Sequence, residues 1–177
     1  MRSWLQPGRL TFMPFGYHGC YLRIDLSRGA AERIPLAESV LRRYIGGSGL
    51  GTRLLLDEGG ASVDPRSPEA PLVFAFSPLV GSPLTTSAKF AVVNRSPLTE
   101  RCNDSLASSG FALAGKQCGC DAMVIVGRAR AWSVLIVDNG EVRLEPAEEI
   151  LGASCDVTEE QLRATLGRDH RIASIGP

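Results

Sequence analysis

Lys89 follows a run of hydroxyls, Thr85-Thr86-Ser87, and opens an apolar stretch at 90–93. A second hydroxyl-rich stretch carries Ser105, Ser108, Ser109 and Gly110, just before a segment, 111–117, with helical character. Hydroxyls both donate and accept, lysine is a point cation, and the first N–H groups of a helix lack intrahelical partners. Delivered to one place, these groups make a cradle for an anionic ligand. The candidate binding set is Thr86, Ser87, Lys89, Ser105, Ser108, Ser109 and Gly110. The competing assignment is a Ser-rich turn whose hydroxyls only cap the helix, with Lys89 in water.

Other reactive side chains give weaker patterns. Cys118-Gly119-Cys120 is a C-x-C pair, but Cys20, Cys102 and Cys155 lie far from it in sequence. Zinc and iron–sulfur sites show tighter grouping, so no metal ligands are assigned. The two histidines, His18 and His170, have no acidic or nucleophilic neighbour at a telling spacing. No Ser–His–Asp arrangement is legible, and no residue is assigned as catalytic. Gly47-Ser48-Gly49-Leu50-Gly51 departs from G-x-G-x-x-G and follows a helix where a strand is required, so close helix packing or a tight turn explains it better than a dinucleotide.

Short apolar runs must position the cradle. Leu72–Phe76, 90–93 and Ala122–Val126 are rich in Val, Ile, Phe or Ala and bounded by Gly, Pro, Ser or Asn, which predicts buried strands. Residues 21–26 alternate, with Leu22, Ile24 and Leu26 inward and Tyr21, Arg23 and Asp25 outward, and 30–34 return antiparallel. Helices are predicted over 38–45, with Val40, Leu41, Tyr44 and Ile45 on one face, and over 50–58. Strands at 132–137 and 142–145 flank Asp138-Asn139-Gly140-Glu141, whose Asn-Gly suits a type I′ hairpin. Thr158 and Gln161 form a capping box for a helix ending at Gly167, and 171–175 reads as a last strand. The mixture predicts an α+β fold: two packed, largely antiparallel sheets flanked by short helices, in a layered sandwich.

The 177 residues fit one domain, and a net charge of zero gives no reason to expect nucleic acid or an anionic membrane as partner. No apolar stretch approaches the ~20 residues of a membrane span. Five cysteines, an odd number, and the absence of a secretion-like start predict free thiols in a reducing compartment, the cytoplasm.

PLVGSPLTTSAKFAVVNRSPLT, a Ser/Gly-rich turn and GCDAMVIVGRA, taken in order with YLRIDLSRGAAERIPL, LRRYIGGSGLGTRLLLDE, VDPRSPEAPLVFAFSPL and IASIGP, resemble the N-terminal domain of the aldehyde:ferredoxin oxidoreductase family. The likeness runs from about Tyr17 to Pro177. It implies a domain over 14–177, truncated at its C-terminus, behind a disordered extension over 1–13. It also implies a floor for a tungsten- or molybdenum-bis-pterin centre whose phosphates are bridged by magnesium. A 4Fe-4S cluster would be held by cysteines beyond Pro177.

The implied reaction oxidises a small aldehyde to a carboxylic acid and passes electrons to ferredoxin. The implied partners are the downstream domains of the same enzyme, with self-association left open. Lys89 falls where family members often carry a pterin-contacting Arg, and Leu106 where the family places a magnesium-holding Asn. Cys120 falls where the family commonly has an aromatic residue. A stand-alone, non-catalytic binding or assembly module is the alternative function.

Overall fold

A computed structural model describes residues 16–177. The expected disordered extension over 1–13 lies outside the described residues. Eight strands and four helices follow in the order β1 (Cys20–Asp25), β2 (Ala30–Pro35), α1 (Glu38–Tyr44), α2 (Gly47–Asp57), β3 (Leu72–Phe76), β4 (Lys89–Arg95), β5 (Cys102–Ser108), α3 (Gly110–Gln117), β6 (Ala122–Val126), β7 (Ser133–Asp138), β8 (Glu141–Pro146) and α4 (Cys155–Leu166). A six-stranded sheet has the order β2-β1-β6-β3-β4-β5, and β7-β8 forms a second, smaller sheet. Every pairing is antiparallel except β1 with β6. The architecture is the expected α+β type, with one large and one small sheet.

Alternation along the central strands sends successive side chains to opposite faces. On one face, Tyr21, Val73, Ala75, Ala91, Val93, Ala122 and Val124 pack under Leu41, Leu50, Leu54 and Leu55 of α1 and α2. On the other, Leu22, Ile24, Phe76, Phe90 and Met123 meet Ala112 of α3, with Leu135, Val137 and Val142 of the hairpin against them. Phe74, Phe90 and Phe111 join sheet to α3, with ring centroids 5.1–6.4 Å apart. Such aromatic contacts add about 0.5–1.5 kcal/mol per pair beyond area burial.

Glycines set how closely the helices approach. A Cβ on Gly51 would lie 2.6 Å from Val93 Cγ2, and one on Gly49 would lie 2.5 Å from the Tyr44 carbonyl oxygen. The Gly-rich run is therefore a packing device, and its first residues already belong to α2, three positions before the predicted start at Leu50.

The structure corrects several other expectations. Tyr21 is 7% exposed, because α2 covers the face assigned to water, and its hydroxyl donates to Glu58 at 2.6 Å. Arg23 reaches the same carboxylate at 2.9 Å. Ile45 leaves the α1 face: its φ is 62° and its side chain is exposed. The Ser/Gly-rich turn expected at 105–110 is mostly strand, since β5 continues to Ser108 along β4. Every residue of β5 is exposed, so no apolar alternation marked it. Thr158 is not a cap: α4 starts at Cys155, Ser154 takes the cap position, and Thr158 is buried within the helix. Residues 171–175 form no strand.

The hairpin matches its expected turn, with φ of 51° at Asn139 and 86° at Gly140. A Cβ at Gly140 would also lie 2.1 Å from Arg33 Nη2. Gly140→Val is expected to cost on the order of 1–3 kcal/mol, because a β-branched residue resists this backbone region. Urea denaturation reads the loss, and an unchanged midpoint would refute the assigned strain.

Candidate functional site

The C-terminal end of β3, the N-terminal end of β4 and the C-terminal end of β5 meet at one rim of the large sheet. All seven candidate residues except Ser105 lie at this rim, and register decides which of them can act together. Lys89 pairs directly with Ser108, so both side chains leave the sheet on the α2 side. Leu106, opposite Ala91, lies on that side too. Asp104 confirms the parity, since its carboxylate accepts from the Ser48 hydroxyl at the start of α2. Ser105 stands opposite Val92 and faces the α3 side. The expected convergence of Ser105 with Lys89 is thus corrected: a strand alternates where a turn would have gathered them.

Local hydrogen bonds fix the rim. Ser109 N–H and the Ser108 hydroxyl both donate to the Ala88 carbonyl, at 3.1 and 3.2 Å. Ser109 is the N-cap of α3, its hydroxyl accepting from Phe111 N–H at 3.2 Å. At the start of α3 the N–H groups of Ser109 and Phe111 are therefore already engaged. Thr86 carries a φ of 57° and is exposed, a conformation that costs a β-branched residue energy unless its surroundings enforce it. Ser87 accepts from Lys89 N–H through its carbonyl at 2.7 Å.

Sequence reasoning missed Arg171. A Cβ on Gly110 would lie 2.8 Å from Arg171 Nε, which places this guanidinium against the first turn of α3. The positive end of a helix and a guanidinium repel, and an anion between them would turn both contacts favourable. Its placement depends on long-range chain return, so nothing local in the sequence marked it. Among the described residues neither Lys89 nor Arg171 is ion-paired. Leu79, Leu84 and Leu106 are 50%, 58% and 70% exposed around the same rim.

Lys89 and Ser108 leave the sheet on the α2 side, and Arg171 stands against Gly110 at the start of α3. Two clefts of about 380 and about 270 Å³ lie elsewhere, one at Arg28, Arg130 and Trp132 and one between Ile136 and Leu162, and neither includes a rim residue. No group of three or more His, Cys, Asp or Glu suited to a metal ion occurs among the described residues. Cys120 is fully buried, its thiol against the Gly115 carbonyl, and burial pushes its pKa up to about 12. No helix among the described residues is long and apolar enough to cross a membrane.

Comparison with known proteins agrees with this architecture. The profile of the aldehyde ferredoxin oxidoreductase N-terminal domain matches residues 21–177. The tungsten-containing aldehyde ferredoxin oxidoreductase of Pyrococcus abyssi is 36% identical over 166 residues, 92% of this chain and 27% of that protein. The WOR-like subunit of an aliphatic sulfonate oxidoreductase from Pyrococcus furiosus is 33% identical over 141 residues, 78% of this chain and 22% of that protein. Among solved structures, a chain of the active-site complex BamBC of benzoyl-coenzyme A reductase, in complex with 1,5-dienoyl-CoA, superposes with a TM-score of 0.81 and 28% identity. That match covers 87% of this chain and 24% of the other. The chain thus spans about a quarter of the length of these relatives, all of them oxidoreductases. The protein belongs to the aldehyde ferredoxin oxidoreductase N-terminal domain family.

Proposed function

We propose that this domain is the cofactor floor of a tungsten- or molybdenum-pterin oxidoreductase, and that the bis-pterin lies across the rim formed by β3, β4 and β5. The observation that carries this reading is the pair of cations, Lys89 and Arg171, without carboxylate partners among the described residues, one at the start of β4 and one against Gly110 at the start of α3. Phosphate is strongly anionic, and two cations without carboxylate partners at one rim suit it. The bound metal–pterin group supplies the redox chemistry, and the protein binds and orients it.

Within that arrangement Lys89 neutralises phosphate charge, and Ser108, directly across the ladder, offers oxygen lone pairs and aligns the lysine stem. Gly110 lets Arg171 approach the helix end, where any larger residue would displace it. Thr86 and Ser87 shape the loop that enters β4. Magnesium finds no side-chain oxygen at Leu106, so no magnesium ligand is assigned there. The β5 backbone carbonyls and the Ser105 and Ser108 hydroxyls are the nearby oxygens. The exposed leucines and the outer edge of β5 suit burial by further domains of the same enzyme. The proposed overall reaction is oxidation of an aldehyde to a carboxylic acid, with electrons leaving through a 4Fe-4S cluster outside this domain to ferredoxin, in the cytoplasm.

Lys89→Ala and Arg171→Ala, each made in the full-length protein, are expected to lower tungsten and pterin content several-fold, because each removes a charge-assisted contact worth about 1.5–3 kcal/mol. Metal analysis with far-ultraviolet circular dichroism as a folding control reads this. Full metal occupancy in both variants would sink the rim assignment.

A further inference from the structure

The cleft at Arg28, Arg130 and Trp132 is built from the segments that leave β1 and β6. These strands are parallel, so both segments leave at the same end of the large sheet. β3 runs antiparallel to β6, which puts its C-terminal end, and with it the cofactor rim, at the opposite end. The second cleft, between the β7–β8 hairpin and α4, shares Pro146 and Glu148 with the first. The two clefts are therefore neighbours on one surface that the cofactor assignment leaves unused.

Their linings are of opposite character. Arg28 and Arg130 line the first. Arg28 stands 3.5 Å from the Asp25 carboxylate with its side chain 82% exposed, and Arg130 has no carboxylate partner among the described residues. Val134, Ile136 and Leu162 line the second, together with Glu148 and Glu149, which have no cationic partner among the described residues. Trp132 is 69% exposed, and its carbonyl accepts from Ala147 N–H at 3.1 Å, which holds it beside the 148–150 turn. Tryptophan beside arginine is the composition of an interface anchor. An indole left in water forgoes the large area it can bury.

We propose that this surface joins two copies of the chain about a two-fold axis, with Trp132 of each copy entering the apolar cleft of the other and Arg130 of each copy meeting Glu149 of the other. The occupant is a second copy because the surface is complementary to itself. Two-fold rotation brings the acidic cleft onto the basic one, and it does so twice. A net charge of zero removes long-range repulsion between copies. The cleft of about 270 Å³ has room for an indole. Arginine and glutamate form a charge-assisted, two-pronged contact. Glu148 lines both clefts and faces its own counterpart, a like-charge contact that the two Arg130–Glu149 pairs offset. Because the surface is at the far end of the sheet from the rim, the association does not depend on the cofactor.

Sedimentation velocity of the full-length protein between about 1 and about 100 μM, a range that brackets a modest affinity, tests this. A doubling in mass with concentration is expected, weakened by added salt. Trp132→Ser should weaken that step about 30-fold or more, as the loss of an interface anchor. Arg130→Glu and Glu149→Arg should each weaken it about tenfold, and the two together should regain most of the loss, because the reversed charges again face each other. Circular dichroism and thermal melting should be unchanged in all variants. A wild-type mass that stays constant over the range, a doubling that survives Trp132→Ser, or charge reversals whose effects add would each overturn the proposal. So would a Trp132→Ser variant that loses stability without changing mass, since Trp132 would then be covered by another part of its own chain.

Discussion

Asp121→Ala is expected to destabilise the protein by about 3–5 kcal/mol, the cost of leaving a buried charge without its partner. Asp121 is 1% exposed, and Lys116 Nζ donates to it at 2.5 Å from a side chain that is 10% exposed. The same carboxylate accepts the His18 N–H at 3.0 Å and the Gly19 N–H at 2.7 Å. One side chain thereby fastens the segment entering β1 to the turn entering β6, and it does so from the far end of α3. Removal strands an ammonium and two backbone donors in a place water reaches poorly. Asp121→Asn keeps acceptor capacity but loses the charge, so it should fall between wild type and Asp121→Ala. Chemical denaturation of the three proteins gives the order, and a loss below about 1 kcal/mol in Asp121→Ala would show that the buried ion pair has little net effect.

Gly115→Val should lower stability by about 3 kcal/mol or more through overpacking. A Cβ at Gly115 would stand 2.2 Å from Phe76 Cζ and 2.5 Å from its Cε1, and Phe76 is itself 1% exposed between sheet and helix. Two effects oppose each other at this position. Replacing a helical glycine by alanine gains up to about 1 kcal/mol of helix propensity. The ring has no free space to retreat into, so the clash wins, and even Gly115→Ala is expected to destabilise. Phe76→Leu should restore part of the loss in the Gly115→Ala background while destabilising the wild type, which is the signature of a direct contact. Additive effects in that double-mutant cycle would contradict the packing described here.

The exposed rim follows from the same core. Phe76 and Phe90 end the buried parts of β3 and β4, and beyond them lie the loop that carries Thr86 and Ser87 and the first residue of β4, Lys89. The core therefore sets the height at which the proposed cofactor would lie. Changes at Gly115 or Phe76 should disturb that loop as well as stability.

Elements whose signal is local were legible in the residues. Leu72–Phe76 and Ala122–Val126 emerged with the bounds their apolar runs predicted, because a strand buried on both faces must be apolar throughout. Asn139 and Gly140 adopt the two positive φ angles of their turn, and Gly167 closes α4 at 88°. Backbone sterics act within a residue or two, so one residue type at one position determines such features. The family likeness was legible for a related reason, as it rests on short motifs in a fixed order.

Tertiary structure alone decided the rest. Nothing within CNDSLAS distinguishes a turn from a strand. Its pairing along Lys89–Arg95 satisfies the backbone on one side, and with every side chain exposed no apolar alternation marks the strand. The parallel alignment of β1 with β6 buried Tyr21 by placing its strand under α2. Register then separated Ser105 from Lys89 and joined Lys89 to Ser108. The return of the chain end brought Arg171 to Gly110. Each of these outcomes depends on free energy shared between segments, the β4–β5 register across a six-residue connection and the others across long stretches of chain, and a one-residue shift in pairing would reverse which face each side chain occupies.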